Sequence, residues 1–95
     1  MKFKGIDAFS VNSNIVWREV DNELVLVNLD NGYYYTLNDS ARVIWEVIAK
    51  EGNIDAVKNE LIRVYDIAVG TVEKDIDTTL DGFVAEKLIT VKEKE

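Results

Sequence analysis

The side chains that most often carry out catalysis are scarce in this sequence. The chain of 95 residues has no histidine and no cysteine, which excludes imidazole bases, thiol nucleophiles, disulfides and thiolate metal sites. Ser10, Ser13 and Ser40 therefore have no imidazole to activate them. The five glycines form no phosphate-binding loop. We predict that the chain is not an enzyme.

Carboxylates are the reactive groups that remain. Eighteen acidic and eleven basic residues give a net charge of −7. At this density close acidic pairs, such as Asp75 with Asp77 or Asp30 with Asp39, arise by chance and are interpreted as solvated surface groups. A weak oxygen-ligated metal site stays open, but no cofactor is predicted. The charge indicates solubility or a basic or neutral peptide partner, and it argues against binding to a phosphate backbone.

The composition predicts one domain over residues 1–95. Hydrophobic residues make up 47% of the chain, which is typical of a globular protein. No apolar run is long enough for a transmembrane helix, and no secretory signal is recognisable, so we expect a cytoplasmic protein. Residues 1–11 and 92–95 are expected to be flexible. Alternatively, Phe3, Ile6, Phe9 and Val11 form an extra edge strand or contact a partner.

The first half of the chain predicts three antiparallel strands, over residues 15–20, 23–29 and 33–37. Turn-forming residues connect them, Asp21-Asn22 at the first turn and Asn31-Gly32 at the second. Asn31-Gly32 can supply the positive φ angles of a hairpin turn. Both faces of the second strand are largely apolar, which predicts that something packs on each side of it.

The second half of the chain predicts three helices. The first spans residues 39–50 with Asn38 as its cap, and the second spans residues 55–65. Thr71 is expected to cap the third helix, which spans residues 72–88, and residues 89–91 can form a short strand. The order is that of an α+β domain, a three-stranded antiparallel sheet followed by three helices.

The third strand has an unusual aromatic run. Tyr33, Tyr35 and Leu37 share one face of it, while Tyr34 and Thr36 share the other. One interpretation is a core face and an ordinary exposed face. The other is an exposed edge available for pairing with a peptide. Because the strand lacks the lysine or proline that usually protects an edge, its edge is either used or covered by the third helix.

Several motifs together resemble the PqqD family, named for coenzyme PQQ synthesis protein D. Its fold is also called the RiPP precursor peptide recognition element. The resemblance covers roughly residues 16–91, and its strongest parts are the strand ending in Leu37-Asn38 and Ile44-Trp45 on the next helix. The other matching segments are Leu26-Val27-Asn28-Leu29, Gly32 to Thr36, Ala41 to Val43, and residues 54–66, 72–76 and 87–89.

The resemblance implies a winged helix-turn-helix-like fold and a non-catalytic protein that binds the leader of a ribosomally made peptide. The leader would lie as an added strand on the third strand, walled by the third helix. The protein would act as a peptide chaperone, presenting the precursor to a separate enzyme, such as a radical SAM enzyme or a leader peptidase. The candidate peptide-binding residues are Tyr33, Tyr34, Tyr35, Thr36, Leu37, Asp75, Ile76, Thr79 and Phe83.

The candidate residues on the third helix have a second interpretation. Ile76 and Phe83 either receive apolar leader residues or are ordinary core. Asp75 could accept from a basic residue or a backbone N–H. Thr79 is smaller than the bulky residue many family members carry, and Lys87 stands where the family often has glycine. The Thr79 difference affects the size of the predicted pocket, and the Lys87 difference affects the shape of the last turn of the third helix.

Two other functions stay open at this point. A self-associating module could pair its exposed strand with a second copy, so monomer and homodimer are both possible. A winged-helix nucleic-acid-binding protein fits the helix order, but the negative charge argues against it. PQQ-type, lasso-peptide and radical SAM pathways are not distinguished by the sequence.

Overall fold

The computed structural model describes residues 3, 6–37, 39–66 and 68–93. It has five strands and three helices in those ranges, so the predicted α+β order of three strands and then three helices is confirmed, with one further strand at each end. They are β1 (Ile6–Val11), β2 (Ile15–Val20), β3 (Glu23–Asn28), β4 (Tyr34–Leu37), α1 (Asp39–Lys50), α2 (Ile54–Tyr65), α3 (Val69–Ala85) and β5 (Ile89–Glu93). Within these ranges no helix is both long and apolar enough to span a membrane.

Strands β2, β3 and β4 form an antiparallel sheet in that order. Asp21 and Asn22 connect β2 to β3 with φ angles of 51° and 69°, as a two-residue hairpin turn requires. At the next turn Gly32 has a φ of 77°. There the Asn28 side chain, which is buried, accepts hydrogen bonds from the N–H groups of Asp30 at 2.8 Å and Asn31 at 3.3 Å. A side-chain amide therefore shapes the turn that leads into β4.

The helices cover one face of this sheet, which we call the inner face. Trp17 lies opposite Leu26 in the sheet and packs edge-to-face on Trp45 of α1, with ring centroids 5.4 Å apart. Trp45 packs in the same way on Phe83 of α3, also at 5.4 Å. The opposite face stays open, since Val16 is 45% exposed. The prediction that something packs on both faces of β3 is therefore wrong for the described residues.

The N-terminal segment is part of the fold. β1 pairs antiparallel with β5, with an irregularity between Ile6 and Ala8. Phe9 is buried in the core, and burying a phenylalanine stabilises a fold by about 1.5–3 kcal/mol. Its backbone N–H also donates to the Gly52 carbonyl at 2.8 Å. Of the two alternatives for the N-terminal segment, residues 6–11 adopt the extra strand, and residues 1, 2, 4, 5, 94 and 95 lie outside the described residues.

The helix bounds agree closely with prediction except at α3. The predicted Asn38 cap of α1 lies outside the described residues, while Asn53 caps α2 by accepting from the Ala56 N–H at 2.8 Å. α3 begins at Val69, and Ala68 is its N-cap without a side-chain bond. The predicted Thr71 cap is wrong, because the Val72 N–H already donates to the Ala68 carbonyl at 3.0 Å and so Thr71 lies inside the first turn.

α3 ends at Ala85, earlier than predicted, in a tight capping turn. The Leu88 N–H donates to the Phe83 carbonyl at 2.9 Å, and the Lys87 N–H donates to the Val84 carbonyl at 3.0 Å. This is the Schellman pattern, in which the residue after the cap takes a left-handed conformation. Lys87 has that conformation, with a φ of 58°. The position therefore favours glycine, as the family pattern suggested.

Replacing Lys87 with glycine should stabilise the protein by about 0.5–1 kcal/mol. A left-handed φ costs a residue with a Cβ about 1–2 kcal/mol, and the greater freedom of glycine in the unfolded chain offsets part of the gain. Urea unfolding followed by circular dichroism measures the difference. The matched control is Lys87→Ala, which removes the charge but keeps the Cβ, and equal stability of the two variants would contradict the explanation.

Candidate functional site

The outer edge of β4 is unpaired in the described part of the sheet. The Asn28 N–H donates to the Tyr33 carbonyl at 2.8 Å. The backbone groups of Tyr33 therefore point toward β3. Since successive residues of a strand direct their backbone groups to opposite sides, the N–H and C=O groups of Tyr34 and Thr36 point away from β3. Tyr34 is 72% exposed. The edge thus offers a row of backbone donors and acceptors without strand partners.

One side of α3 faces this edge across a groove. The Tyr35 hydroxyl donates to the Glu86 carboxylate at 3.2 Å, and this contact identifies the side. Gly82, Thr79 and Asp75 precede Glu86 by about one, two and three helical turns, so they lie on the same side. Helical spacing thus gives this side of α3 small or acidic residues, and the Tyr35–Glu86 contact places its C-terminal end beside β4. We call the space between β4 and this side of α3 the groove.

A cleft of about 370 Å³ lies at the turn end of the groove, lined by Gly32, Tyr33, Tyr34, Tyr35 and Glu86. The pKa of the Tyr35 phenol is raised, first by partial burial and then by its hydrogen bond to Glu86 and the negative charge of that carboxylate. The phenol is the donor of this bond and the Glu86 carboxylate accepts it. This bond holds the end of α3 against β4.

The sequence-predicted residues fall into three groups: strand residues, partly exposed helix residues and buried helix residues. Tyr33 to Leu37 form the edge, and Asp75 and Thr79 are partly exposed on the groove side of α3. Ile76 and Phe83 lie instead in the core, with 0% and 5% of their surface exposed. The structure therefore places these two behind the groove wall and not on its surface.

Sequence reasoning missed two residues of the groove wall, Gly82 and Glu86. A Cβ added at Gly82 would meet no atom within 4 Å, so this glycine leaves open space in the wall. Both residues continue the helical spacing that begins at Asp75 and Thr79. That helical spacing could have identified Gly82 and Glu86 as neighbours of Asp75 and Thr79, but it does not show which side of α3 faces β4.

The groove offers hydrogen-bonding groups and carboxylates, with Asp75 and Glu86 near its two ends. Among the described residues, no three acidic side chains are grouped so that they could hold a metal ion. These groups suit an extended peptide with basic residues better than a small molecule.

A larger groove, of about 490 Å³, lies between α1 and α2. Its lining mixes valines, among them Val43 and Val64, with both acidic and basic residues. None of its lining residues belongs to β4 or α3. It is therefore separate from the groove beside β4.

Two solved structures have the same fold. One is TbiB1 in complex with the TbiA(beta) leader peptide, at 22% identity and a TM-score of 0.79, covering 84% of this chain and 93% of that one. The other is lasso peptide synthetase B1 complexed with the leader peptide, at 22% identity and a TM-score of 0.79, covering 87% of this chain and 98% of that one. At this identity the likeness shows the fold alone.

Sequence comparison gives the family directly. No curated protein matches the chain. The family model of coenzyme PQQ synthesis protein D (PqqD) matches residues 23–89. The match runs from the start of β3 to the start of β5 and includes β4, all three helices and both walls of the groove. The resemblance identified from the sequence motifs is therefore confirmed, and this protein belongs to the PqqD family.

Proposed function

We propose that this protein binds the leader segment of a ribosomally made precursor peptide as an added strand on β4. The observation that carries the proposal is the unpaired edge of β4 beside the open wall of α3, where the backbone groups of Tyr34 and Thr36 point outward. An added strand would satisfy those groups and gain affinity from them. Both similar solved structures are complexes with leader peptides, which supports the proposal.

The groove suggests how one leader is chosen over another. Alternate side chains of an added strand point to opposite faces, so one set enters the groove beside Thr79 and Gly82. Asp75 and Glu86 lie about 16 Å apart along the helix, at 1.5 Å per residue. An extended peptide covers that distance in about five residues. Because only every second side chain enters the groove, we expect basic leader residues spaced about four or six positions apart.

The protein itself would supply binding and no catalysis. Its side chains lack a nucleophile with a base, so the chemistry would belong to a separate enzyme, such as a radical SAM enzyme or a leader peptidase. The protein would hold the leader while that enzyme acts on the rest of the precursor. We expect this to take place in the cytoplasm.

Calorimetric titration with the short peptides encoded beside the gene tests the proposal. We expect saturable binding with a Kd of about 1 μM or less, or about −8 kcal/mol. The leader half of the peptide alone should bind as tightly as the full precursor. If none of the peptides saturates the protein at high micromolar concentration, the proposal fails.

Asp75→Lys should weaken leader binding about tenfold. The change replaces an attraction for a basic leader residue with a repulsion, and tenfold in affinity corresponds to about 1.4 kcal/mol. Fluorescence polarisation with a labelled leader measures it. Asp55→Lys, the same change on exposed α2, is the matched control, and similar losses in both variants would mean that only net charge matters.

Gly82→Leu should weaken leader binding although it strengthens the helix. Leucine favours a helix over glycine by about 0.8 kcal/mol, and the site has room for a side chain because a Cβ there meets no atom within 4 Å. That side chain would project into the groove and obstruct the leader. Gly70→Leu is the matched control, since Gly70 is equally open but lies about a third of a turn around α3 from Gly82. Equal leader affinity in the two variants would place the binding site elsewhere.

Self-association through the same edge is a second candidate, favoured by the unpaired backbone groups of β4. Light scattering on the free protein would report a dimer in that case. A leader that displaces the second copy would show that both bind one edge. Binding of nucleic acid has no such observation in its favour, because the net charge is −7.

A further inference from the structure

The open face of the sheet, which we call the outer face, is largely apolar. Val16, Val27 and Tyr34 lie side by side on it, since Val16 pairs with Val27 and Val27 with Tyr34 across the three strands. Arg18 and Val25 form the next row. Val16 is 45% and Tyr34 is 72% exposed. A cluster of this kind on an acidic protein points to contact with another molecule.

The charge of the chain argues against a second copy as the occupant of the outer face. Two copies would bring together two chains of net charge −7. Arg18 is exposed, and no described residue forms an ion pair with it, so its charge is available to a partner with a carboxylate.

The outer face is continuous with the proposed leader site through two residues of β4. Tyr34 and Thr36 place their side chains on the outer face, while their backbone groups form the free edge. A strand added to that edge would widen the sheet from three strands to four. Every second side chain of the leader would then lie on the outer face beside Tyr34.

We propose that the outer face is the surface by which the separate modifying enzyme recognises this protein with its leader bound. The inference rests on the proposed leader binding. The enzyme would present an apolar patch to Val16 and Val27 and a carboxylate to Arg18. Because the leader completes the surface, the enzyme binds the leader-bound protein more tightly than the free protein. By linkage, the enzyme raises leader affinity by the same factor.

The test uses the full chain and the purified leader peptidase or radical SAM enzyme encoded beside the gene. Enzyme affinity is measured by biolayer interferometry with and without saturating leader. We expect leader to strengthen enzyme binding about tenfold, within the usual range of such couplings. Val16→Glu and Arg18→Glu should each weaken enzyme binding at least about tenfold.

Two controls separate the surface from the fold and from the leader site. Val64→Glu makes the same change at a valine with the same 45% exposure on α2 and should leave enzyme affinity unchanged. Val16→Thr is a second test variant in case Val16→Glu does not fold: it keeps the shape and strand preference of the side chain but adds a hydroxyl to the apolar surface, so it should also weaken enzyme binding. Leader affinity of all these variants, measured alone, should equal that of the wild type.

The outcomes distinguish this inference from the proposed function. No leader binding by the wild-type protein would overturn both. If the leader binds normally but enzyme affinity is unchanged in Val16→Glu, Val16→Thr and Arg18→Glu, only the outer-face inference is overturned. A dimer in sedimentation that Val16→Glu converts to monomer would also overturn it, because the occupant would then be a second copy.

Discussion

Thr36→Pro is expected to weaken leader binding about 30-fold or more and to leave the fold intact. The Thr36 N–H points away from β3, so proline removes no hydrogen bond of the sheet and occupies an edge position where it is tolerated. The leader carbonyl that would accept from Thr36 then loses its donor. An unsatisfied group of this kind costs about 2 kcal/mol, which is about 30-fold in Kd at 25 °C. Calorimetry with the leader measures the loss.

Thr36→Val is the matched control for this prediction. Valine has the shape of threonine and keeps the backbone N–H, so leader affinity should stay within about threefold of the wild type. Circular dichroism and a thermal melt should show that both variants fold. If Thr36→Pro folds and still binds leader with wild-type affinity, the leader does not pair with β4.

Trp45→Ala is expected to lower the free energy of unfolding by about 3–5 kcal/mol, the usual range for removing a large buried aromatic side chain. Trp45 is fully buried and packs edge-to-face on both Trp17 and Phe83. It therefore joins the sheet, α1 and α3. Since domains of this kind are stable by about 5–15 kcal/mol, the loss is a large part of the total. Urea unfolding followed by far-ultraviolet circular dichroism measures it.

Trp45→Phe is the companion variant, and it should cost less than half as much as Trp45→Ala. The indole N–H of Trp45 is buried and has no hydrogen-bond partner among the described residues. Removing that N–H therefore loses no hydrogen bond and relieves an unsatisfied donor. Phenylalanine also keeps an aromatic ring between Trp17 and Phe83. Equal costs for the two variants would mean that the aromatic packing does not carry the stability.

The local elements could be predicted because each has its own signal in the sequence. The β2–β3 turn is set by Asp21-Asn22, both of which take the positive φ angles that such a turn requires. α1 has the predicted bounds, Asp39–Lys50, because its apolar residues recur at helical spacing. The start of α3 was misplaced since Thr71 is a good cap residue by type, whereas the helix begins earlier at Val69 without a side-chain cap.

The candidate site could be predicted only in part. The aromatic strand and its edge follow from the alternation of residue types along Tyr33 to Leu37. The roles of Ile76 and Phe83 did not follow, because apolar residues at helical spacing look the same whether they face a core or a groove. Their burial in the structure resolves that ambiguity. Glu86 is recognised as part of the site only from its contact with Tyr35, which is 51 positions away in the chain.

The sequence by itself determined the elements, their order, the absence of imidazole and thiol chemistry, and the PqqD family. These features depend on residue types and on spacing within a few turns. The tertiary structure decided which distant segments meet. It brought Asn12 within hydrogen-bonding distance of the Lys87 carbonyl, 75 positions along the chain, and so joined β1 to β5. It also left the outer face of the sheet open and brought Glu86 to the Tyr35 hydroxyl. Contacts over such distances depend on how all the elements pack together, and no local pattern in the chain specifies that packing.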